Sequence, residues 1–149
     1  MVFKIRNGFT LLEVMLVVAI MTLLGAMSIP SLLRARISTN ESAAQAALKT
    51  IATAEYTYRI VNANYTDLAQ LGNATPPYID RALADGVKNG YNFTSAGGVT
   101  IFVATAVARS NSTGIRRFCI TEDGVIRVNS SITGSTDHDT CQGYGAAVR

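Results

Sequence analysis

The sequence predicts an α+β fold: one long N-terminal α-helix, hydrophobic in its first half and amphipathic in its second, packed on an antiparallel four-stranded sheet. Three observations predict it. The run from residue 9 to residue 33 is apolar except for a single ionisable group, Glu13. A stripe of apolar residues at helical spacing follows that run, and beyond residue 90 two pairs of β-rich segments flank short glycine-bearing turns.

A chain of 149 residues accommodates one domain with an anchor and excludes a large multidomain enzyme. Charged residues make up 15% of it, well under the roughly 25% of soluble domains, so part of the surface is not ordinarily water-facing. Lys4 and Arg6 supply two of the three net positive charges. Without them 11 Lys and Arg face 10 Asp and Glu, a balance that argues against a nucleic-acid binder with a basic face.

At 1.5 Å per residue the apolar run reaches about 37 Å as a helix, enough to cross a bilayer core of about 30 Å. The flanking Lys4 and Arg6 place its N-terminal side in the cytoplasm and everything after Arg34 on the far side. A removable secretory signal is the alternative. Against it stand Glu13 inside the apolar region, the length of the run, and a helical pattern that continues past Pro30. Pro30 removes one helical hydrogen bond and predicts a kink or local melting, with Gly25 loosening the same turn. Ile37, Ala44, Ile51 and Tyr58 then recur every seven residues, with Ala47, Leu48, Ala54 and Val61 in the same stripe. Asn40, Glu41, Gln45, Lys49, Thr53 and Arg59 form the wet face opposite. The helix therefore runs from Phe9 to about Val61.

Residues 62–90 read as connection, with short helical turns at Thr66–Leu71 and Asp80–Ala84. Strands follow: Tyr91–Thr94 and Val99–Val107 around Gly97-Gly98, then Phe118–Thr121 and Val125–Val128 around Glu122-Asp123-Gly124. Cys119 and Cys141 fit neither a zinc ribbon nor a haem-attachment motif. An exported position makes a disulfide their default over two free thiols, one that would stabilise the fold by about 3 kcal/mol.

Residues Gly8 to Glu13 read G-F-T-L-L-E, after a short basic leader and before the apolar run. That combination closely resembles the type IV pilin family, whose prepilins are cut after the glycine by a membrane aspartyl peptidase that then methylates the new N-terminus. The resemblance implies a cut between Gly8 and Phe9, N-methylation of Phe9, and Glu13 as the fifth residue of the processed chain. It implies a leader at 1–8, a membrane and assembly helix at 9–33, and a globular head at 34–149. In this family a proline placed like Pro30 marks the segment that loses helix in the filament, and a cysteine pair like Cys119 and Cys141 brackets the exposed C-terminal region. A lone carboxylate in an apolar environment needs a cation. The Phe9 amine of a neighbouring subunit would serve Glu13, and an intramolecular contact at i, i+4 or snorkelling to the headgroups are the alternatives.

No catalytic constellation is present, and no cofactor is implied. The single histidine, His138, lies between Asp137 and Asp139. With Asp123 these could hold a divalent cation, as some secretion pseudopilins hold calcium in their C-terminal loop, but calcium needs more oxygen ligands at defined spacing, and a solvated loop is the simpler reading. Arg116 and Arg117, with Arg109 and Arg127, could form a patch for nucleic acid, phospholipid or polysaccharide. Paired arginines more often protect an edge strand. Asn-X-Ser/Thr triplets at Asn40, Asn64, Asn73, Asn92, Asn111 and Asn129 exceed chance and offer sugar acceptors, unless Asn and Ser/Thr merely share loops.

The function these features imply is that of a structural subunit of a type IV pilus, a surface fibre for adhesion or motility. It would be held in the inner membrane as a single-pass precursor until the peptidase, a platform protein and an assembly ATPase build it into a homopolymer. A pseudopilin of a type II secretion system is the alternative within the family. A membrane-tethered binding domain that never polymerises is the alternative outside it, and would not require Gly8, Phe9 or Glu13.

Overall fold

A computed structural model describes residues 8–131, 133 and 137–145. The chain divides into two units, Met1–Ala35 and Arg36–Arg149. Helix α1, Leu11–Asn62, contributes its first part to one and its remainder to the other. Helix α1 runs continuously through Pro30 in the single chain, without local melting there. A proline deletes one backbone donor, and the Leu, Met and Ala residues around it are strong helix formers that keep their own bonds.

In the second unit α1 is followed by α2 (Leu68–Asn73), α3 (Arg81–Ala84), the strands β1 (Val87–Lys88), β2 (Tyr91–Gly97), β3 (Phe102–Ala108), β4 (Arg117–Thr121) and β5 (Ile126–Asn129), and α4 (His138–Gln142). The strands form one antiparallel sheet in the order β1-β2-β3-β4-β5, so it has five strands rather than the four expected. The extra strand is β1, joined to β2 by Asn89 and Gly90, both at positive φ (49° and 76°). Asn-Gly is the pair that a two-residue hairpin turn selects, a signal passed over inside a segment read as connection. Asp67, Asp80 and Asp137 each cap a short helix, accepting from Gln70, Leu83 and Thr140 backbone N–H groups at 2.7, 2.7 and 2.8 Å.

Ala44, Leu48, Ile51 and Ala52 of α1 meet Tyr91, Phe93, Phe102, Ala104, Ala106, Phe118 and Ile120 of the sheet in one core, closed by Leu71 and Leu83. The stripe expected on α1 is largely the buried one, though Ile37 and Tyr58 are only half-buried and Val61 is exposed, because the helix outlasts the core. On the face expected to be wet, Glu41 is buried and Asn40 and Gln45 are half-buried. The 97–101 turn packs against the chain leaving α1. Tyr65 N–H donates to the Gly98 carbonyl at 2.8 Å, and a Cβ on Gly97 would collide with Tyr65 and the Thr66 nitrogen. Glycine at 97 is thus required by close approach, and β3 begins at Phe102 rather than Val99.

β3 and β4 are buried on both faces, which a sheet with one wet side does not show. The cause is the C-terminal segment: α4 lies over β3 and β4, where Val103 and Cys119 pack with Cys141 and Tyr144. This short helix was not anticipated, since its residues are the polar ones expected in a loop.

Candidate functional site

Gly8, Phe9 and Thr10 precede the first turn of α1 in non-helical backbone. Thr10 ends that stretch: its Oγ1 accepts the Glu13 backbone N–H at 3.2 Å and its carbonyl accepts Val14 N–H at 3.3 Å. Thr-Leu-Leu-Glu has the capping-box spacing, a local signal of a helix start that lies within the family motif. Glu13 is exposed, and its carboxylate enters none of the ion pairs among the described residues. Phe9 is 83% exposed, and the large apolar side chains from Leu11 to Leu33 are exposed with it. The most apolar 18-residue window of α1 has a mean hydropathy of 2.3 and none of it is buried in the chain. A surface this apolar requires cover from lipid or protein. Lys4 and Arg6 lie outside the described residues.

Among the described residues nothing constrains position 8 to be glycine. A Cβ there would meet nothing within 4 Å, and its backbone is not in the left-handed region.

In the second unit, α1 is tied down by two buried carboxylates. Glu41 accepts Arg116 Nε–H at 2.9 Å and Ile115 N–H at 3.2 Å, and next to it Asn40 donates to the Thr113 carbonyl at 3.0 Å. Glu55, fully buried, accepts Thr66 N–H at 3.0 Å and the Ser95 hydroxyl at 2.7 Å. Burial pushes its carboxyl above the usual range, against the opposing pull of those two donors. Neither residue was expected in the interior, because hydropathy spacing reads a glutamate as solvent-facing.

Cys119 and Cys141 are joined in a disulfide. Two further ties hold the same segment. Arg117, expected as one of a pair on an edge strand, instead lies buried in β4 between β3 and β5. Its Nε donates to the Ser131 carbonyl at 2.6 Å and its Nη1 to the Tyr144 hydroxyl at 3.1 Å. His138 Nε2 lies 2.9 Å from both Glu122 carboxylate oxygens, and that hydrogen bond raises the imidazole pKa above its ordinary value. The Glu122 carbonyl in turn accepts the Tyr56 hydroxyl at 2.9 Å.

The weak metal candidates are not brought together. Asp123 pairs with Arg127, Asp137 caps α4, and the Asp139 side chain is fully exposed. No cluster of three or more His, Cys, Asp or Glu able to hold a metal exists among the described residues. Three of the four arginines of the expected basic patch are engaged within the fold, since Arg116 serves Glu41, Arg127 serves Asp123 and Arg117 is internal, while Arg109 is exposed. Among the Asn-X-Ser/Thr sites, Asn40 and Asn64 spend their amides on backbone carbonyls, whereas Asn73, Asn92 and Asn111 are exposed.

Residues 3–29 match the family model of the prokaryotic N-terminal methylation motif. Over 136 residues, 87% of this chain and 92% of the relative, the sequence is 30% identical to the type IV wide pilus major component PilA4 of Thermus thermophilus. Over 97 residues, 64% of this chain and 41% of the relative, it is 34% identical to the type IV major pilin protein PilA of Myxococcus xanthus. The methylation motif on a non-helical start, the bare apolar helix and the disulfide-closed α+β head thus coincide with near full-length similarity to a pilus component, and the chain belongs to the type IV pilin family.

Proposed function

We propose that this chain is the structural subunit of a type IV pilus, drawn from a membrane pool after removal of its leader. The observation that carries the reading is an α1 surface whose apolar side chains, from Leu11 to Leu33, are uncovered in the single chain. Before assembly, lipid covers them, with the N-terminal flank in the cytoplasm and the head on the far side. After assembly, the same helices of neighbouring copies cover them. Because lipid and a helical bundle are both apolar, burial alone barely favours the transfer, so packing and charge must select position and an ATPase must supply the work.

Cleavage between Gly8 and Phe9 by a prepilin peptidase converts the Phe9 nitrogen from an amide into an amine, which the same enzyme methylates. That amine, still cationic, is the partner for Glu13 of an adjacent copy, and the pair fixes axial register. Among the described residues no neighbour occupies the space a Cβ at Gly8 would take, so the position is open to a peptidase that reads a glycine there. Both similar relatives carry pilus names, which favours a surface pilus over a secretion pseudopilus.

The test is shearing of cells expressing the chain, with electron microscopy and intact mass of the released subunit. Fibres built of a subunit that starts at a methylated Phe9 are expected. A protein confined to the envelope, or a mass that includes residues 1–8, overturns the reading. Gly8→Ala should be processed and Gly8→Leu should keep its leader.

A further inference from the structure

We propose that Thr10 is a positioning residue for leader removal: by capping α1 it sets where the helix begins and leaves the Gly8–Phe9 bond in non-helical backbone. The inference rests on the processing reading above and adds to it the residue that presents the bond.

Helix α1 begins at Leu11, and Gly8 to Thr10 belong to no regular element. Thr10 Oγ1 takes the N–H of Glu13, one of four donors that a helix start leaves without a partner, and so stabilises this start over others. No other side chain from Phe9 to Leu12 can do so, since Phe9, Leu11 and Leu12 carry no acceptor. Phe9 itself tolerates helix, and without the cap the next residue that resists it is Gly8. A helix that advanced to that point would wind the scissile bond into its first turn. A peptidase binds substrate backbone in extended form, hydrogen-bonding along it, and a bond coiled into a turn cannot be aligned in that way. The cap also fixes Glu13 at the third helical position and Phe9 just outside the first turn. The residue to be exposed by cleavage and its expected assembly partner thereby keep a set spacing along the chain.

The experiment uses the whole precursor in inner-membrane vesicles with purified prepilin peptidase, reading the initial rate of leader release by mass. Thr10→Val keeps the branched shape and removes the acceptor. Thr10→Ser and Thr10→Asn keep an acceptor and change the shape. Release from Thr10→Val should be about fivefold slower, the factor that one lost cap commands, with Ser and Asn within about twofold of the parent. Thr10→Val cleaved at the parent rate overturns the proposal. Ser and Asn as slow as Val overturn it too, because the peptidase would then be reading the threonine by shape. A parent precursor left uncut at Gly8–Phe9 is a distinguishable result that overturns the processing reading itself.

Discussion

Removing the more exposed partner of the Glu41–Arg116 pair should cost the head more than removing the buried one. The Glu41 side chain is 4% exposed and that of Arg116 is 44% exposed. Glu41→Ala forfeits the charge-assisted bonds to Arg116 and strands the Ile115 N–H. Water reaches the freed guanidinium, so the loss is about 2 kcal/mol. Arg116→Ala instead leaves a carboxylate in the interior with only the Ile115 N–H, and broken buried pairs cost about 3 to 5 kcal/mol. The partial exposure of the arginine site puts the expected value near the lower end, about 3 kcal/mol. In the double variant no charge is stranded, and the loss should return to about 2 kcal/mol, far short of the sum of about 5 kcal/mol. Urea unfolding of the processed protein in detergent micelles measures all three, since an ionic denaturant would screen the pair. Tyrosine fluorescence is the natural signal, because the chain has six tyrosines and no tryptophan, and the Tyr91 hydroxyl donates to the Arg116 carbonyl at 3.0 Å. Additivity within about 0.5 kcal/mol, or a Glu41→Ala loss exceeding that of Arg116→Ala, would refute the account of a stranded buried charge.

Glu13→Ala should leave membrane insertion and the head intact while abolishing most fibre yield, since the loss of about 3 to 5 kcal/mol recurs at each added subunit. Abundant ordered fibres of normally processed subunit would remove charge pairing from assembly. Cys119→Ser should lower head stability by about 2 to 5 kcal/mol without affecting membrane insertion, read by urea unfolding alongside a membrane fractionation. Unchanged unfolding midpoints would show that Arg117 and His138 hold the C-terminal segment unaided. For His138 the folded pKa is raised by Glu122, so its stabilisation is fully present below about pH 6.5 and is lost as pH rises through the folded value. Hydrogen exchange in α4 should therefore quicken with rising pH beyond the intrinsic rate increase, an excess that His138→Gln removes. An excess that persists in that variant would assign it elsewhere.

The apolar helix, its continuation as an amphipathic stripe and the β4–β5 hairpin were legible because each rests on local pattern: hydropathy, spacing, and a turn of Glu122-Asp123-Gly124. The features that escaped are those decided by distant chain. Glu41 and Arg116 stand 75 residues apart, and nothing near Glu41 marks it as interior. Arg117 reads as a surface charge until α4 and the disulfide cover the outer face of β4. Glu55 is similar, buried by a loop and a strand whose approach depends on Gly97 having no side chain. At the N-terminus the motif residues were legible as a motif, but the role of Thr10 needed the hydrogen bond to Glu13 to be visible.

The order β1-β2-β3-β4-β5 has a consequence for how the head is made. Every pair of neighbouring strands is also consecutive in the chain, so each hairpin closes over a short loop and the sheet has little entropic barrier to cross. The contacts of highest sequence separation, the slower ones to form, are those that α1 makes with the later part of the head, such as Glu41 with Ile115 and Arg116 just before β4. On the topology proposed above, the chain would cross with the amphipathic part of α1 first, so Leu48, Ile51 and the two glutamates would precede the strands that bury them. The interval between emergence of α1 and arrival of β4 is the window in which proteases and aggregation compete with folding. Because Cys141 follows every strand in the chain, the Cys119–Cys141 bond can close only once the whole sheet has emerged.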